Sequence, residues 1–462
     1  MVRERIARAA IIVVAVCICV VSFAIHDPSL SLGKKVNDFG LQYSDIVYGV
    51  FMSKFVSATP IHASEFYSTW LNTRVAYELL NGTHVCPLPY RDYSFEYPPL
   101  VGALWALTTC TAMEIVLPQH FNVLFYKQYM ERVAEVNYVL QSIAISAFMV
   151  LGTYALLDIA SSLGAPYRRV LMYVIAPSTA IYSIYNWDAM AAAFSLWGLR
   201  AFMRGQALRS GLLIGLGGST MLIPFAFAIP AMYDYIQRRD VRGLSRFTAG
   251  LVLGGAVPFI VLALFAPQGF LRLVDHYASW FCENCIFIVF IRREYSVIYR
   301  ALSIALMTLL MTLTISIDMS RGRQCIIYAA FLSLASAVVM NYIFTPQMWL
   351  MLSPLAVLIV RGWEVPTFIV ADLANAGIIL AFFKDLDLRI ALSKFFSIPI
   401  QQNPWSPVSP VQWIAQTRNL LILAVFIAVF VRALKHCTAA QFKPYKSPEE
   451  TLSDSPQMGG NP

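Results

Sequence analysis

Two acidic, aromatic stretches hold the side chains best suited to chemistry. Asp45 stands in Tyr43-Ser44-Asp45-Ile46, at the start of a semi-apolar run reaching Met52, and Phe95-Glu96-Tyr97-Pro98-Pro99-Leu100 follows it. A carboxylate partly desolvated at a membrane surface gains a raised pKa and becomes a better general base toward a hydroxyl. The alternative is capping, since Ser44 or Asp45 directly precedes an apolar run. Residues 89–100 set Arg91, Asp92 and Glu96 among aromatic and apolar side chains. Aromatic faces suit the C–H patches of a sugar ring, and carboxylates suit its hydroxyls. The same residues also make a rigid, aromatic start to a helix, with Pro98-Pro99 fixing the backbone entry.

Three further clusters interrupt apolar segments. Asn186-Trp187-Asp188 sits where two of them meet. It reads either as an interfacial aromatic anchor or as a span-end carboxylate facing a cavity and a hydroxylated ligand. Asp275-His276 and Arg292-Arg293-Glu294 lie in a later polar stretch. Arginine binds phosphate bidentately, which suits a lipid phosphate head group, while an Arg293–Glu294 neighbourhood on a solvated face explains them equally. Asn341 and Thr345 are ordinary capping residues, but Gln347, just inside the next apolar run, asks for a partner. Cys282-Glu-Asn-Cys285 is a metal half-site, a redox pair, a loop-stapling disulfide or two free thiols. No second pair with zinc-site spacing accompanies it, and Cys17, Cys19 and Cys110 lie in apolar helices where Cys packs as a small hydrophobe.

The elements that must position these groups are membrane helices. The chain of 462 residues is 58% hydrophobic and 13% charged, with a mean hydropathy of +0.63, against roughly 25% charged in soluble domains. About 11–13 apolar segments recur along it, several near the ~20 residues that a bilayer core requires. The expected fold is an all-α polytopic bundle with a long first outward loop, residues 27–97. A single helical body covers 1–436, and a Ser-, Pro- and Lys-rich tail, 437–462, reads as disordered.

The net charge of +8 is concentrated in short connections: Arg3/Arg5/Arg8, Arg168/Arg169, Arg238/Arg239/Arg242/Arg246, Arg321/Arg323 and Arg432/Lys435. These mark one face as cytoplasmic, with both termini on it. The first apolar run, 9–25, is longer than a signal-peptide core and reads as a retained helix. Alternation from the N-terminus puts Arg168/Arg169 on the wrong side unless segment 98–118 dips in without crossing. No basic face for nucleic acid is visible, and no Gly-rich phosphate cradle is present; Gly211–Gly218 is a packing and kinking run inside an apolar segment.

Taken in order, these pieces resemble the GT-C superfamily of membrane glycosyltransferases, and most closely the polyprenol-phosphate-mannose-dependent group, glycosyltransferase family 87. The resemblance rests on residues 43–46, 95–100, Ala176-Pro177 leading to 186–188, the Gly-rich segment ending at Pro224, and Thr345-Pro346-Gln347. It implies an inverting hexosyl transfer, mannose being the family sugar, from a polyprenyl-phosphate donor to a lipid or glycan acceptor at the outer face of the cell membrane. Asp45 inherits the role of general base. Glu96, Tyr97, Arg91, Asn186, Asp188, His276, Arg292, Arg293 and Gln347 are the residues expected to hold substrate, with no metal and no cofactor beyond the donor itself. The family often carries Lys before the Pro of its Gly-rich segment, where this chain has Met221-Leu-Ile-Pro224. Other readings are a small-molecule transporter and a non-catalytic, lipid-binding subunit derived from the same fold.

Overall fold

The computed structural model describes residues 2–32, 34, 38–56, 69–291 and 296–438. Arg292 and Arg293 lie outside the described residues, as does the tail from 439 onward. Helix follows helix along the chain, and the only β pairings among the described residues are isolated bridges. Seven helices are long and apolar enough to cross a membrane. The chain is an all-α polytopic membrane protein in contact with the lipid bilayer.

In chain order the helices are α1 (Val2–Ile25), the π-helical α2 (Asp45–Val56), α3 (Thr73–Leu80), α4 (Pro99–Val116), α5 (Tyr126–Ser162), α6 (Arg168–Val174), α7 (Pro177–Tyr182), α8 (Asp188–Met203), α9 (Ala207–Thr220) and α10 (Ala228–Gln237). There follow α11 (Val241–Leu251), α12 (Val257–Phe265), α13 (Pro267–Ser279), α14 (Val297–Leu313), α15 (Arg323–Val339), α16 (Trp349–Ile359), α17 (Glu364–Phe383), α18 (Asp385–Leu392) and α19 (Pro410–Cys437). Several starts are dictated locally. Proline stands at the first position of α4, α7, α13 and α19, where its missing N–H costs nothing and its φ is already helical.

Burial separates two kinds of helix. α16 is buried on every side and α15 nearly so, as befits helices apolar all round at the centre of a bundle. α11, α12 and α14 turn many of their apolar side chains outward, including Val241, Ile260, Val261, Leu264 and Ile304, where lipid is their solvent. Between α9 and α11 the backbones touch. A Cβ on Gly211 would lie 2.0 Å from the Phe247 carbonyl oxygen, and one on Gly250 2.2 Å from that of Leu208. Only glycine permits this approach, which is the close packing seen between membrane helices. The Gly-rich run is thus a packing surface.

The bundle has two distinct ends. At one, Asp158 near the end of α5 receives Arg8, Arg200 and Arg204. Arg169 donates to the carbonyls of Val357 (3.2 Å) and Leu358 (2.7 Å), Arg432 pairs with Glu364, and Cys325 is bonded to Cys437. Arginines that lie far apart in the sequence therefore meet, as the alternation of spans anticipates. Cys437 belongs to the helical body, one residue past the boundary expected at 436.

The other end gathers the polar stretches. Here α4 lies along the segment that precedes it. Its start is held by Tyr90, whose hydroxyl donates to the carbonyls of Tyr97 (2.6 Å) and Pro98 (3.0 Å). Its far half is held by the Cys86–Cys110 disulfide and a His84–Glu114 pair at 3.3 Å. Segment 82–98 thus runs alongside the whole helix, so both ends of α4 stay with that one segment. Cys110, expected to pack as a hydrophobe, is a crosslink instead. α5 makes the full passage: 37 residues, about 55 Å of helix, lead from a Tyr126 contact with the Phe55 carbonyl (2.8 Å) to Ser162 beside Arg323.

Candidate functional site

Asp45 is the first residue of α2. Capping falls to Ser44 instead, whose buried hydroxyl accepts from the Val47 N–H at 3.3 Å. This leaves the Asp45 carboxylate free for other partners. The Asp45 N–H donates to the Tyr185 carbonyl at 3.1 Å, pinning the start of α2 to the turn between α7 and α8.

Three separate segments then converge on one oxygen. Oδ2 of Asp45 accepts from the Tyr97 hydroxyl at 3.2 Å, from Gln347 Nε2 at 3.4 Å and from Asn186 Nδ2 at 3.5 Å. The hydroxyls of Tyr43 and Tyr185 also face the carboxylate. All these donors are neutral, and among the described residues no cation pairs with Asp45. Burial pushes its carboxyl up to about 6, against the opposing pull of these hydrogen bonds. Beside Oδ1 stands Gly49, exposed and without a side chain; a Cβ there would sit 3.2 Å from Oδ1 and 3.3 Å from the Tyr43 hydroxyl. A side chain at that position would crowd the carboxylate.

Under Tyr97 lies an aromatic wall. Trp187 meets its ring edge-on, with centroids 4.5 Å apart, and Phe95 and Trp105 pack behind. Trp187 is fully buried and donates to Gln141 at 2.9 Å. It is a core residue and not an interfacial anchor. Its neighbour Asn186 does two jobs, since its Oδ1 accepts from the Asp188 N–H at 2.9 Å while its amide nitrogen serves Asp45. Asp188 is 2% exposed and its Oδ1 has no hydrogen-bond partner.

Glu283 is a further carboxylate of the site and was not anticipated as one. It sits inside the C-x-x-C, whose cysteines are joined to each other, and bridges Ile343 through its backbone. The Trp280 indole donates to it at 2.9 Å. Burial raises its carboxyl to about 7, the Trp280 bond opposes this, and the charge of Asp45 adds to the rise. The local signal was present: a carboxylate flanked by two crosslinkable cysteines is held rigidly wherever the loop lies.

Lys54 was also missed. It is a lone cation in an apolar run, 4% exposed, paired with Glu96 and 3.4 Å from the Ser94 hydroxyl. A buried lysine in an apolar helix is a functional signal in its own right. His276 belongs to this neighbourhood: its ring lies 4.5 Å from that of Trp280. Burial lowers its pKa, the Glu96 charge raises it and the Lys54 charge lowers it further.

Arg91 is the expected site residue that is not brought in. Its guanidinium pairs with the adjacent Asp92 at 2.8 Å, and Asp92 in turn organises the loop by accepting from the Leu88 N–H (2.7 Å) and Asn72 (3.1 Å). Contact with the next residue in sequence decides its position. Asn341 makes the turn expected of it, accepting from the Ile343 N–H at 3.1 Å, whereas the Thr345 side chain makes no capping bond.

The loops carrying Glu283 and Gln347 are held from below by α19 and α17. Arg418, fully buried, donates to the carbonyls of Phe344 (2.9 Å) and Asn284 (3.2 Å) and to the Asn375 side chain (2.9 Å). Gln416 donates to the Cys285 carbonyl (2.8 Å), and Asn375 to that of Pro346 (2.9 Å). Backbone groups that would lack partners at this depth are thereby satisfied. Among the described residues no group of three or more His, Cys, Asp or Glu side chains could hold a metal ion. No protein-family model matches the chain, and no curated protein matches it.

Proposed function

We propose that the protein is a membrane glycosyltransferase of the GT-C kind, transferring a hexose from a polyprenyl-phosphate donor to a hydroxyl of a lipid or glycan acceptor. The observation that carries this reading is the convergence of Tyr97, Asn186 and Gln347 on Asp45, a half-buried carboxylate with no cation beside it and a carboxyl raised to about 6. A structural carboxylate at that depth calls for an arginine or lysine. One kept ionisable near neutral pH is suited to taking a proton.

In the proposed step the Asp45 carboxylate removes the proton of the acceptor hydroxyl. The acceptor oxygen forms a bond to the anomeric carbon, the bond from that carbon to the phosphate oxygen breaks, and the lipid phosphate leaves with the electron pair. Configuration at the anomeric carbon inverts. The neutral donors around Oδ2 orient the carboxylate, and the aromatic wall under Tyr97 offers a face for a sugar ring. Lys54, on the same helix as Asp45, and Arg292 and Arg293 further along the chain are the cations proposed for a departing phosphate, in place of the Lys absent at Met221. The basic end of the bundle is assigned to the cytoplasm, with the Asp45 site opening outside the cell membrane.

The test is sugar transfer by the purified protein in proteoliposomes, using labelled polyprenyl-phosphate mannose and host lipid extract. The expected product carries the hexose with its anomeric configuration inverted relative to the donor. A product of retained configuration, or no product from any polyprenyl-phosphate hexose, would overturn the reading.

A further inference from the structure

A second site lies at the arginine-rich end, away from Asp45. The ends of α8 and α10 and the starts of α9 and α11 enclose a cavity of about 760 Å³, lined by Arg209, Arg238, Arg242 and Arg246 together with Asp234 and Asp240. Both acids are already committed. Asp234 pairs with Arg238 at 2.9 Å, and Asp240 caps α11 by accepting from the Gly243 N–H at 2.8 Å. Arg209, Arg242 and Arg246 have no ion-pair partner among the described residues. Arg242 and Arg246 lie one turn apart on α11 and so share a face. The α9–α11 contact through Gly211 and Gly250 fixes Arg209 opposite them.

Three unpaired guanidiniums around a cavity attract a multivalent oxyanion, and phosphate matches their fork geometry. The surroundings specify where that phosphate comes from. Leu208 and Val241, next in sequence to Arg209 and Arg242, are 48% and 75% exposed. Val241–Phe265 is one of the stretches apolar enough to cross the membrane. Arginines interleaved with exposed aliphatic side chains at the beginning of a spanning segment lie at head-group depth, with acyl chains alongside. We propose that this cavity binds the phosphate head group of an anionic phospholipid from the bilayer leaflet at the arginine-rich end, independently of the chemistry at Asp45.

The probe is phosphatidylglycerol presented to the full-length protein in mixed phosphatidylglycerol–phosphatidylcholine nanodiscs, with bound lipid counted by native mass spectrometry after release into detergent. Wild type should retain phosphatidylglycerol in preference to phosphatidylcholine. R209Q/R242Q/R246Q should bind it about 100-fold more weakly, at about one tenfold step or less per arginine removed. Neutralising Lys127 and Arg132, at the opposite end, should change nothing. The single variants Arg242→Gln and Arg246→Gln give graded losses and serve if the triple variant fails to fold. Equal retention by wild type and folded variants would overturn the site, as would equal retention of both lipids. Displacement by water-soluble glycerophosphoglycerol at the concentration effective for the diacyl lipid would overturn the lipid source in favour of a soluble phosphate.

Discussion

The two ends of this bundle treat buried carboxylates in opposite ways. At the arginine-rich end Asp158 is met by three guanidiniums and Glu364 by one. At the other end Asp45 is met only by hydroxyls and amides, and Glu283 by an indole. The first arrangement neutralises charge and ties helices together. The second leaves charge uncompensated, so that each carboxylate is easily protonated. A fold that needed Asp45 only for cohesion would have no reason to withhold a cation from it, especially with Lys54 in the same helix engaged instead with Glu96. On the proposed reading, the contrast separates carboxylates used as fasteners from one kept available for proton transfer.

The largest expected effect tests that contrast through stability. Asp158→Asn leaves Arg8, Arg200 and Arg204 clustered without a counter-charge and should destabilise the fold by roughly 3–5 kcal/mol, read as a lower thermal unfolding midpoint in detergent. Asp45→Asn should do the reverse. Its folded carboxyl is raised above the ordinary value, so protonation favours the fold. Whatever stability Asp45 contributes is present at low pH and lost as pH rises through about 6. The Asn variant should therefore unfold at a higher temperature than wild type at pH 8, with a smaller difference at pH 5. Equal destabilisation by both substitutions would break the comparison.

A smaller effect concerns orientation. Removing Asn186 and Gln347 together, as N186A/Q347A, frees the carboxylate to rotate and should lower the transfer rate roughly 100-fold, with the unfolding midpoint nearly unchanged. The pH dependence sharpens the same point. Since Asp45 must be ionised to accept a proton, transfer should fall about tenfold per pH unit below about 6 and level off above it. The smallest effect is that of Glu283→Gln. The charge of Asp45 helps to raise the Glu283 carboxyl, so the two groups interact electrostatically. Removing Glu283 should shift the acid limb of the rate profile downward by less than about one pH unit, and a profile unmoved by it would uncouple the two groups.

Much of this was legible in the chain. Polar residues at the ends of apolar runs are visible by inspection, and Asp45, Tyr97, Asn186 and Gln347, named on that basis, meet in space. The helical membrane fold follows from composition, because a bilayer admits few alternatives for a chain this apolar. What could not be read are pairings over distance. Nothing local shows that Lys54 meets Glu96 or that Cys86 meets Cys110, since the first depends on how α2 lies against segment 82–98 and the second on how α4 does. Glu283 was hidden by its cysteines, which drew the interpretation toward crosslinking and away from the carboxylate they hold. Arg91 erred the other way: it stood in an acidic, aromatic stretch suited to a sugar, but Asp92 beside it was the nearer partner. Arg418 went unremarked because a cation among apolar residues near a span end resembles a topology signal, whereas it is buried and holds two loops.

The most direct measurement is transfer of labelled hexose from polyprenyl-phosphate mannose in proteoliposomes, comparing wild type with Asp45→Asn at equal folded content. The account predicts transfer by wild type and a loss in the variant too large for binding alone, with donor affinity retained. Equal rates for the two proteins would remove Asp45 from the chemistry and contradict it.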